Sequence, residues 1–375
     1  MQQPGAGDAR NIASIGDFFR QTGASYRVYD LGRRIEACGK RQFELFEALH
    51  SPWPWPIQRH ACFGVVFWYP QREDARMVWF LRLPLDEQGL LIPAARDSFL
   101  ESLLARVGQN IEALRSGEQL EDTPEDSPVA FKPREDRLAS FHARVTAALE
   151  LPASRHYPHA LDYLRGDSGW EQWAFVGMQG LADVAARHRQ HAGLIAAALA
   201  DLPVEPLEAL CGALDSEASG VEIGAALQAR LDRELAGGDA ASPRVAAACL
   251  RGIAGGPQRP AQNRAGQSGA AQKSVAAIRR QMLASALAHP VGCDLEVLAS
   301  VTGRLWEELR DAELLAAFLA AAAHNRDGQG AFNQLLIDLL YLPGMREPVL
   351  EGFRQPQRPE ALSIAIGGFF SALRG

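Results

Sequence analysis

Lysine is nearly absent from this chain of 375 residues, because only Lys40, Lys132 and Lys273 contribute to its 38 basic side chains and the others are arginines. The 45 acidic residues outnumber the basic ones and give a formal net charge of -7. Binding to nucleic acid or to an anionic membrane rests on excess positive charge, so this balance counts against both. We expect neither nucleic acid nor a membrane as a partner.

Cysteines and long apolar runs are also scarce. The five cysteines are scattered and form no C-x-x-C pair, which excludes a disulfide framework or a zinc cluster and is typical of a reducing compartment. The longest apolar run, from Leu314 to Ala323, is about half the roughly twenty residues that a membrane-spanning helix needs. The opening MQQPGAGDARN lacks the basic start and apolar core of a signal peptide. We expect a soluble cytoplasmic protein.

Motifs for catalysis or cofactor binding are missing too. GDSGW at 166–170 resembles the serine loop of a protease, but its flanks are helical in pattern and Trp170 replaces the glycine that should follow. Two histidine pairs, His156 with His159 and His188 with His191, have the spacing of two zinc ligands without further ligands nearby. The sequence therefore predicts no catalytic residue, no metal site and no cofactor.

Residues 13–116 carry the pattern of an α+β domain, preceded by a disordered tail over 1–12. The predicted elements are a helix over 14–23, two strands within 26–38, a helix over 40–50, a hairpin of 60–69 and 75–83, and a long helix from Pro93. Both strands of the second hairpin are apolar on both faces. We therefore expect an antiparallel sheet that is covered on each side.

The remainder of the chain is helical in pattern. Residues 117–133 are acidic and proline-rich, which predicts a solvated linker, and residues 254–273 predict a disordered insertion in a helical domain over 134–375. Two segments that begin at Pro206 and Pro243 each place a cysteine on the inner face, at the spacing of HEAT-like helical repeats. An irregular helical bundle is the alternative.

A proline-rich stretch, PWPWP at 52–56, holds two tryptophans. Prolines fix the backbone and remove donors, so we expect an extended or polyproline segment in which Trp53 and Trp55 point in different directions. A single face of the domain could then bury only one indole fully. Either the protein itself covers the second indole, or a binding partner does. Trp53 and Trp55 are thus candidate partner-binding residues.

A polar cluster follows in RLPLDEQGLLIPAARD, residues 82–97. It contains Arg82, Asp86, Glu87, Arg96 and Asp97 in an otherwise apolar domain. These residues could form an acid-base cluster with an arginine that holds an anion. Alternatively, Arg82 pairs with Asp86 or Asp97 and only stabilises the end of a strand.

The stretch WFLRLPLDEQGLLIPAARDSFL resembles a family of uncharacterised proteobacterial proteins of unknown function. YRVYDLGRRI, WPWPIQRHACFGVVFW and GLADVAAR fit the same family, and the resemblance covers most of the chain. It implies no catalytic residues, because none is known for the family. From the helical array and the aromatic stretch we expect a protein-interaction or adaptor module whose partner is another protein. The alternative is a hydrolase that uses the cluster from Arg82 to Asp97.

Overall fold

A computed structural model describes residues 12–71, 76–107, 127–167, 169–256 and 268–374. The chain divides into two compact units, one of Met1–Pro133 with Tyr341–Pro343 and one of Arg134–Leu340 with Gly344–Gly375. The predicted tail up to residue 11, the linker over 117–126 and the insertion over 257–267 lie outside the described residues. A helix begins at Ser268, inside the segment expected to be unstructured, because that segment ends in the helix formers alanine, glutamine and lysine.

The first unit contains the antiparallel sheet that the sequence predicts. Its elements are α1 (Ile15–Thr22), β1 (Ser25–Asp30), β2 (Ala37–Cys38), α2 (Lys40–Glu47), β3 (His60–Trp68), β4 (Met77–Pro84) and α3 (Pro93–Val107). The strand order is β2-β1-β3-β4, and each neighbouring pair is antiparallel. At the outer edge of β4, the Arg82 N–H donates to the carbonyl oxygen of Val129, and the Phe131 N–H donates to the carbonyl oxygen of Phe80. This edge of the sheet is therefore partly paired. The α+β prediction is confirmed.

Local signals explain where the first helix begins and ends. Ser14 accepts a hydrogen bond from the Asp17 N–H at the start of α1, and Gly23 ends the helix with φ +74°. This φ is favourable for glycine and costs other residues energy. The buried faces of α1 and α2 then pack their phenylalanines onto one face of the sheet, where Phe19 lies 5.0 Å from Phe67 and Phe43 lies 5.5 Å from Phe63.

A buried carboxylate organises the turn between β1 and β2. Asp30 is fully buried and accepts hydrogen bonds from the backbone N–H groups of Arg33 and Arg34. The turn also needs Gly32, because a Cβ atom there would lie 2.9 Å from the side chain of Ile57. The Asp-x-Gly signal thus reflects two requirements, an acceptor for the turn and room for the chain that crosses it.

Glu47, at the end of α2, caps α1 from a distance in sequence. Its two carboxylate oxygens accept hydrogen bonds from Ile15 N (2.7 Å) and Gly16 N (3.0 Å), while only 3% of the residue is exposed. Burial raises the pKa of Glu47 to about 7, although these two N–H groups and Arg96 act in the opposite direction. The charged form is therefore costly to bury even though it is well hydrogen-bonded.

This burial predicts a pH-dependent stability. Because the pKa of Glu47 is higher in the folded than in the unfolded chain, its contribution is fully present below pH of about 4.5 and is lost as pH rises through 7. At 1.36 kcal/mol per pKa unit, the loss amounts to about 3 kcal/mol. Denaturation from about pH 5 to 8 should show this slope in the wild type and in Glu44→Gln, but not in Glu47→Gln. Equal slopes in all three proteins would contradict the assignment.

The second unit is built from helices. They are α4 (Glu135–Ala148), α5 (Tyr157–Leu164), α6 (Met178–Ala186), α7 (Ala192–Asp201), α8 (Val204–Leu214), α9 (Val221–Leu235), α10 (Pro243–Gly252), α11 (Ser268–Ala288), α12 (Leu295–Arg304), α13 (Ala312–Ala323), α14 (Gly328–Leu340), α15 (Arg346–Arg354) and α16 (Glu360–Ala372). Within the described residues, no helix is both long enough and apolar enough to cross a bilayer.

These helices stack in two layers. In the first layer, α4, α6, α8, α10, α12, α14 and α16 each contact the next member, and in the second layer α5, α7, α9, α11, α13 and α15 do the same. Each helix thus contacts neighbours two positions along the chain, the pattern of stacked helical repeats. The two segments that suggested a repeat from the sequence are α8 and α10, which are neighbours in the first layer.

Close packing between α8 and α10 depends on a glycine. A Cβ atom on Gly252 would lie 3.0 Å from the sulfur of Cys211 and 3.2 Å from Leu227. Cys211 and Cys249 are both fully buried here, and burial raises the pKa of the Cys249 thiol to about 12. These two cysteines are therefore protonated core residues without nucleophilic character.

Candidate functional site

Trp53 and Trp55 both lie in the interior, so of the two alternatives the structure has the one in which the protein itself covers the second indole. Trp53 is 0% and Trp55 is 9% exposed, and their rings meet edge to face with centroids 5.8 Å apart. The prediction of a regular polyproline segment was wrong because the chain bends at Ser51 and Pro54–Trp55. The bends bring both indoles together, and the Trp53 N–H donates to Asp30.

The polar cluster of residues 82–97 is not assembled as one site. Asp86 accepts hydrogen bonds from Gln88 N and Leu90 N within its own turn, and Glu87 is exposed. Arg96 pairs with Asp97 at 2.7 Å and also donates to the backbone oxygen of Glu47, at the end of α2. The alternative in which Arg82 pairs with Asp86 or Asp97 is not found among the described residues either.

Arg82 instead faces a cavity of about 550 Å³ in the first unit. The cavity is lined by His60, Arg82, Pro84, Ala94, Ala95, Ser98, Pro128 and Val129. Arg82 is the only member of the predicted cluster among these lining residues. The acid-base arrangement that a hydrolase would need from this cluster is therefore not formed, since the carboxylates are held elsewhere.

A cavity of about 800 Å³ lies in the second unit, where α4 and α6 end. The arginines that line this cavity donate hydrogen bonds to backbone carbonyl oxygens. Arg144 donates to Ser216 O, and Arg187 donates to Leu151 O. Both ring nitrogens of buried His188 face carbonyls, those of Ala185 (2.9 Å) and Ala218 (3.0 Å). Cations at helix C-termini complement the helix dipole, so these groups are occupied in holding the stack together.

A groove of about 370 Å³ crosses four consecutive helices of the first layer. It is lined by Arg134, Asp136, Ser140, Trp173, Met178, Ala182, Glu205, Glu208, Ala209, Gly212, Ala213 and Arg251, which lie on or beside α4, α6, α8 and α10. Small residues of α6 and α8 form the floor, and a Cβ atom added to Gly212 would meet nothing within 4 Å. The floor is thus open where a larger side chain would fit.

Most charges at the rim of this groove are paired, although Arg251 contacts only Glu296, at 3.9 Å, and its buried Nε has no hydrogen-bond partner among the described residues. Arg134 contacts Asp136 at 3.2 Å, and Arg244 contacts Glu208 at 2.6 Å and Glu205 at 3.4 Å. Paired surface charges contribute little net attraction to a ligand. Recognition in this groove would therefore rest on apolar contact and on shape.

Trp173 lines one side of the groove and belongs to an aromatic segment, Trp170–Phe175. The sequence predicts one helix through GWEQWAFVGMQGLADVAARH, but the structure has a 3-10 helix at Trp170–Phe175 and begins α6 only at Met178, because Val176 and Gly177 are extended. No residue of Trp170–Phe175 is buried. Phe175 is 74% exposed and Met178 is 36% exposed. The break in the helix thus turns aromatic side chains outward that a continuous helix would bury.

Tyr163 of α5 holds this segment in place. Tyr163 is 1% exposed, its hydroxyl donates to Trp170 O at 3.1 Å, and its ring contacts Trp170 edge to face at 5.4 Å and Trp173 at 6.2 Å. The exposed aromatic surface is therefore fixed in position before any partner arrives, which lowers the entropic cost of binding. Its position beside the groove depends on tertiary packing, so the sequence alone did not reveal it.

No metal centre is assembled within the part of the chain that the structure describes, since no three histidine, cysteine or acidic side chains converge. His191, from one predicted pair, instead meets the Tyr157 hydroxyl at 2.5 Å, and burial together with Arg165 lowers its pKa. His188, its predicted companion, makes the carbonyl contacts described above. The two histidines thus serve separate hydrogen bonds.

Comparison with known proteins places the chain in a family. The model of the family described as Protein of unknown function (DUF3549) matches residues 10–370. No curated protein and no solved structure matches the chain. The resemblance inferred from the sequence motifs, to a family of unknown function, is confirmed.

Proposed function

Because the chain belongs to the DUF3549 family, which carries no known activity over to it, we propose from the geometry alone that the protein is an interaction module. Its helical stack binds a partner protein through the groove across α4, α6, α8 and α10. The observation that carries this proposal is the half-buried Trp173, held in place by Tyr163, beside an apolar floor. Stacked helical repeats commonly use such extended surfaces for binding.

The chemistry of the groove defines the partner. A floor of alanine and glycine with Trp173 and Met178 as walls accommodates an aromatic or aliphatic side chain. The volume of about 370 Å³ is near the low end for ligand pockets and suits one or two anchoring side chains. Since most rim charges are already paired, the partner is a peptide segment that inserts an apolar anchor, with its affinity coming from burial of that anchor.

A peptide selection tests this proposal. Random peptides displayed on phage and selected on the full chain should converge on sequences with a shared aromatic or large aliphatic residue. The Trp173→Ala variant should bind these peptides at least about tenfold more weakly, because a central aromatic contact is typically worth more than 1 kcal/mol. Arg41→Gln, an exposed change in the first unit, serves as the control and should bind like the wild type. Charged consensus peptides, or equal affinity for Trp173→Ala, would contradict the proposal.

We place this interaction in the cytoplasm. All five cysteines are free, and four of them are buried. Free thiols are typical of a reducing compartment, which supports this location.

A further inference from the structure

The cavity in the first unit is lined by Arg82, which has no acidic partner among the residues that the structure describes. Arg82 is the only charged side chain of β4, and its side chain is exposed at the cavity. Among the described residues that line the cavity, none is acidic. Of the three carboxylates that follow next in sequence, Asp86 is engaged by its own turn, Asp97 pairs with Arg96, and Glu87 is exposed to solvent.

His60 does not satisfy the guanidinium of Arg82. Nδ1 of His60 lies 2.7 Å from the carbonyl oxygen of Gln58 and 3.4 Å from Nη2 of Arg82. A carbonyl only accepts, so Nδ1 carries a proton that it donates to Gln58 O, and it has no lone pair left for Arg82. Two hydrogen-bond donors therefore face each other in this contact. An acceptor from outside the protein would give Nη2 of Arg82 a hydrogen-bond partner.

The backbone turn that precedes His60 fixes the position of its side chain beside Arg82. Gln58 and Arg59 adopt the left-handed conformation, with φ +47° and +60°, which is uncommon for residues other than glycine. This tight turn directs the Gln58 carbonyl at His60, and Arg59 O accepts from Leu85 N at 2.8 Å at the end of β4. The strained turn thus fixes His60 beside Arg82.

Further donors line the opposite side of the cavity. Ala94 and Ala95 belong to the first turn of α3, which contains no acidic residue, and the Ser98 hydroxyl lies one turn further along. The first backbone N–H groups of a helix favour negative charge. In α3, however, Pro93 has no N–H and the Ala95 N–H donates to Ile92 O at 3.3 Å. Among the described residues, Ala94 therefore supplies the free backbone donor on this side. The guanidinium of Arg82, the Ala94 N–H and the Ser98 hydroxyl therefore lie around one space that no acidic side chain of the described residues lines.

We propose that this cavity binds a phosphate group, either as inorganic phosphate or as the phosphate of a small phosphomonoester. The guanidinium of Arg82 matches two oxygens of a phosphate in a bidentate manner. The Ser98 hydroxyl and the Ala94 N–H supply donors to the remaining oxygens, and donors on two sides of the cavity suit a tetrahedral anion better than a planar carboxylate. The cavity of about 550 Å³ also has room for a group attached to the phosphate.

Isothermal titration of the full chain with inorganic phosphate, phenyl phosphate and acetate tests this site. Both phosphates should bind saturably, acetate at least about tenfold more weakly, and Arg82→Gln should lose at least about tenfold in phosphate affinity. Arg41→Gln, which removes an exposed arginine of the same unit, should bind like the wild type. Tighter binding of phenyl phosphate would identify a monoester as the natural ligand, and equal binding would identify free phosphate.

Three results would overturn the proposal: no saturable binding of either phosphate, equal affinity in Arg82→Gln, or equal affinity for acetate. If Arg82→Gln is not stable enough to titrate, Ser98→Leu, on an exposed position of α3, narrows the cavity instead and should weaken phosphate binding. Unchanged phosphate affinity in Ser98→Leu would then count against the site. Peptide binding in the second unit is measured separately. A negative result for phosphate binding therefore does not decide the peptide-binding proposal, and a negative result for peptide binding does not decide the phosphate proposal.

Discussion

Replacing Asp215 by alanine should lower the free energy of unfolding of the helical unit by about 3–5 kcal/mol, the cost of breaking a buried ion pair by removal of one partner. Asp215 is 2% exposed, and its carboxylate contacts Arg304 Nε at 2.6 Å and Arg137 Nη1 at 3.1 Å. Burial alone would raise the pKa of Asp215, but the two arginines outweigh it and lower the pKa. The three residues connect α4, the end of α8 and α12.

Chemical denaturation followed by far-ultraviolet circular dichroism measures this effect. Asp162→Ala is the matched control, because Asp162 also pairs with an arginine but is 60% exposed, and it should change stability by less than about 0.5 kcal/mol. Since the folded pKa of Asp215 is depressed, its stabilising effect should be present at neutral pH and decline as pH falls through that pKa. Equal small effects of both variants would show that the buried cluster does not stabilise the stack.

Trp53→Ala should cost the first unit about 3–5 kcal/mol, the usual loss for truncating a fully buried large aromatic residue. The indole of Trp53 lies 4.9 Å from Phe46 and 5.4 Å from Phe63, and it donates to the buried carboxylate of Asp30 at 3.1 Å. Alanine would leave a cavity and would also remove a hydrogen bond from a buried charge. This cost identifies Trp53 as a core residue, independent of any partner.

Two further variants separate packing from hydrogen bonding at this position. Trp53→Phe keeps most of the ring but loses the donor to Asp30, so its cost should be about 1–3 kcal/mol. Trp173→Ala, at a partly exposed tryptophan of the second unit, should cost clearly less than Trp53→Ala in thermal denaturation. If Trp53→Ala melted like the wild type, the burial of this indole would not stabilise the fold.

Short-range signals in the sequence predict the first unit well. The serine cap and glycine stop of α1, the Asp-x-Gly turn after β1 and the apolar hairpin of β3 and β4 each depend on a few adjacent residues. Such interactions form between residues that are close in the sequence, so the sequence pattern is enough to identify them. The α+β fold followed by helices could therefore be read from the sequence before the structure was known.

The candidate sites were harder to predict because they depend on the direction of each side chain. Arg82 and Arg96 are close in sequence, but one points from a strand towards His60 and the other from α3 towards the end of α2. For the tryptophans, the assumption of a regular polyproline segment failed at the bends of the chain. Closeness in sequence therefore did not indicate a shared site.

The groove could not be predicted for a different reason. Its lining residues extend from Arg134 to Arg251 and become neighbours only when α4, α6, α8 and α10 stack. One signal was present, since WEQWAF combines three aromatic residues with a following Val-Gly that ends the helical pattern. A helix that stops there must expose some of those aromatics, and this is what the structure has.

The measurement that tests the central claim most directly is the dissociation constant of a selected peptide for Gly212→Leu. A Cβ atom at Gly212 would meet nothing within 4 Å and Gly212 lines the groove, so a leucine there should keep the fold and fill the groove. Gly330→Leu is the matched control, because Gly330 is also helical, equally free of neighbouring atoms and outside the groove. We predict at least about tenfold weaker binding for Gly212→Leu and wild-type affinity for Gly330→Leu. Wild-type affinity in a stably folded Gly212→Leu protein would contradict the account.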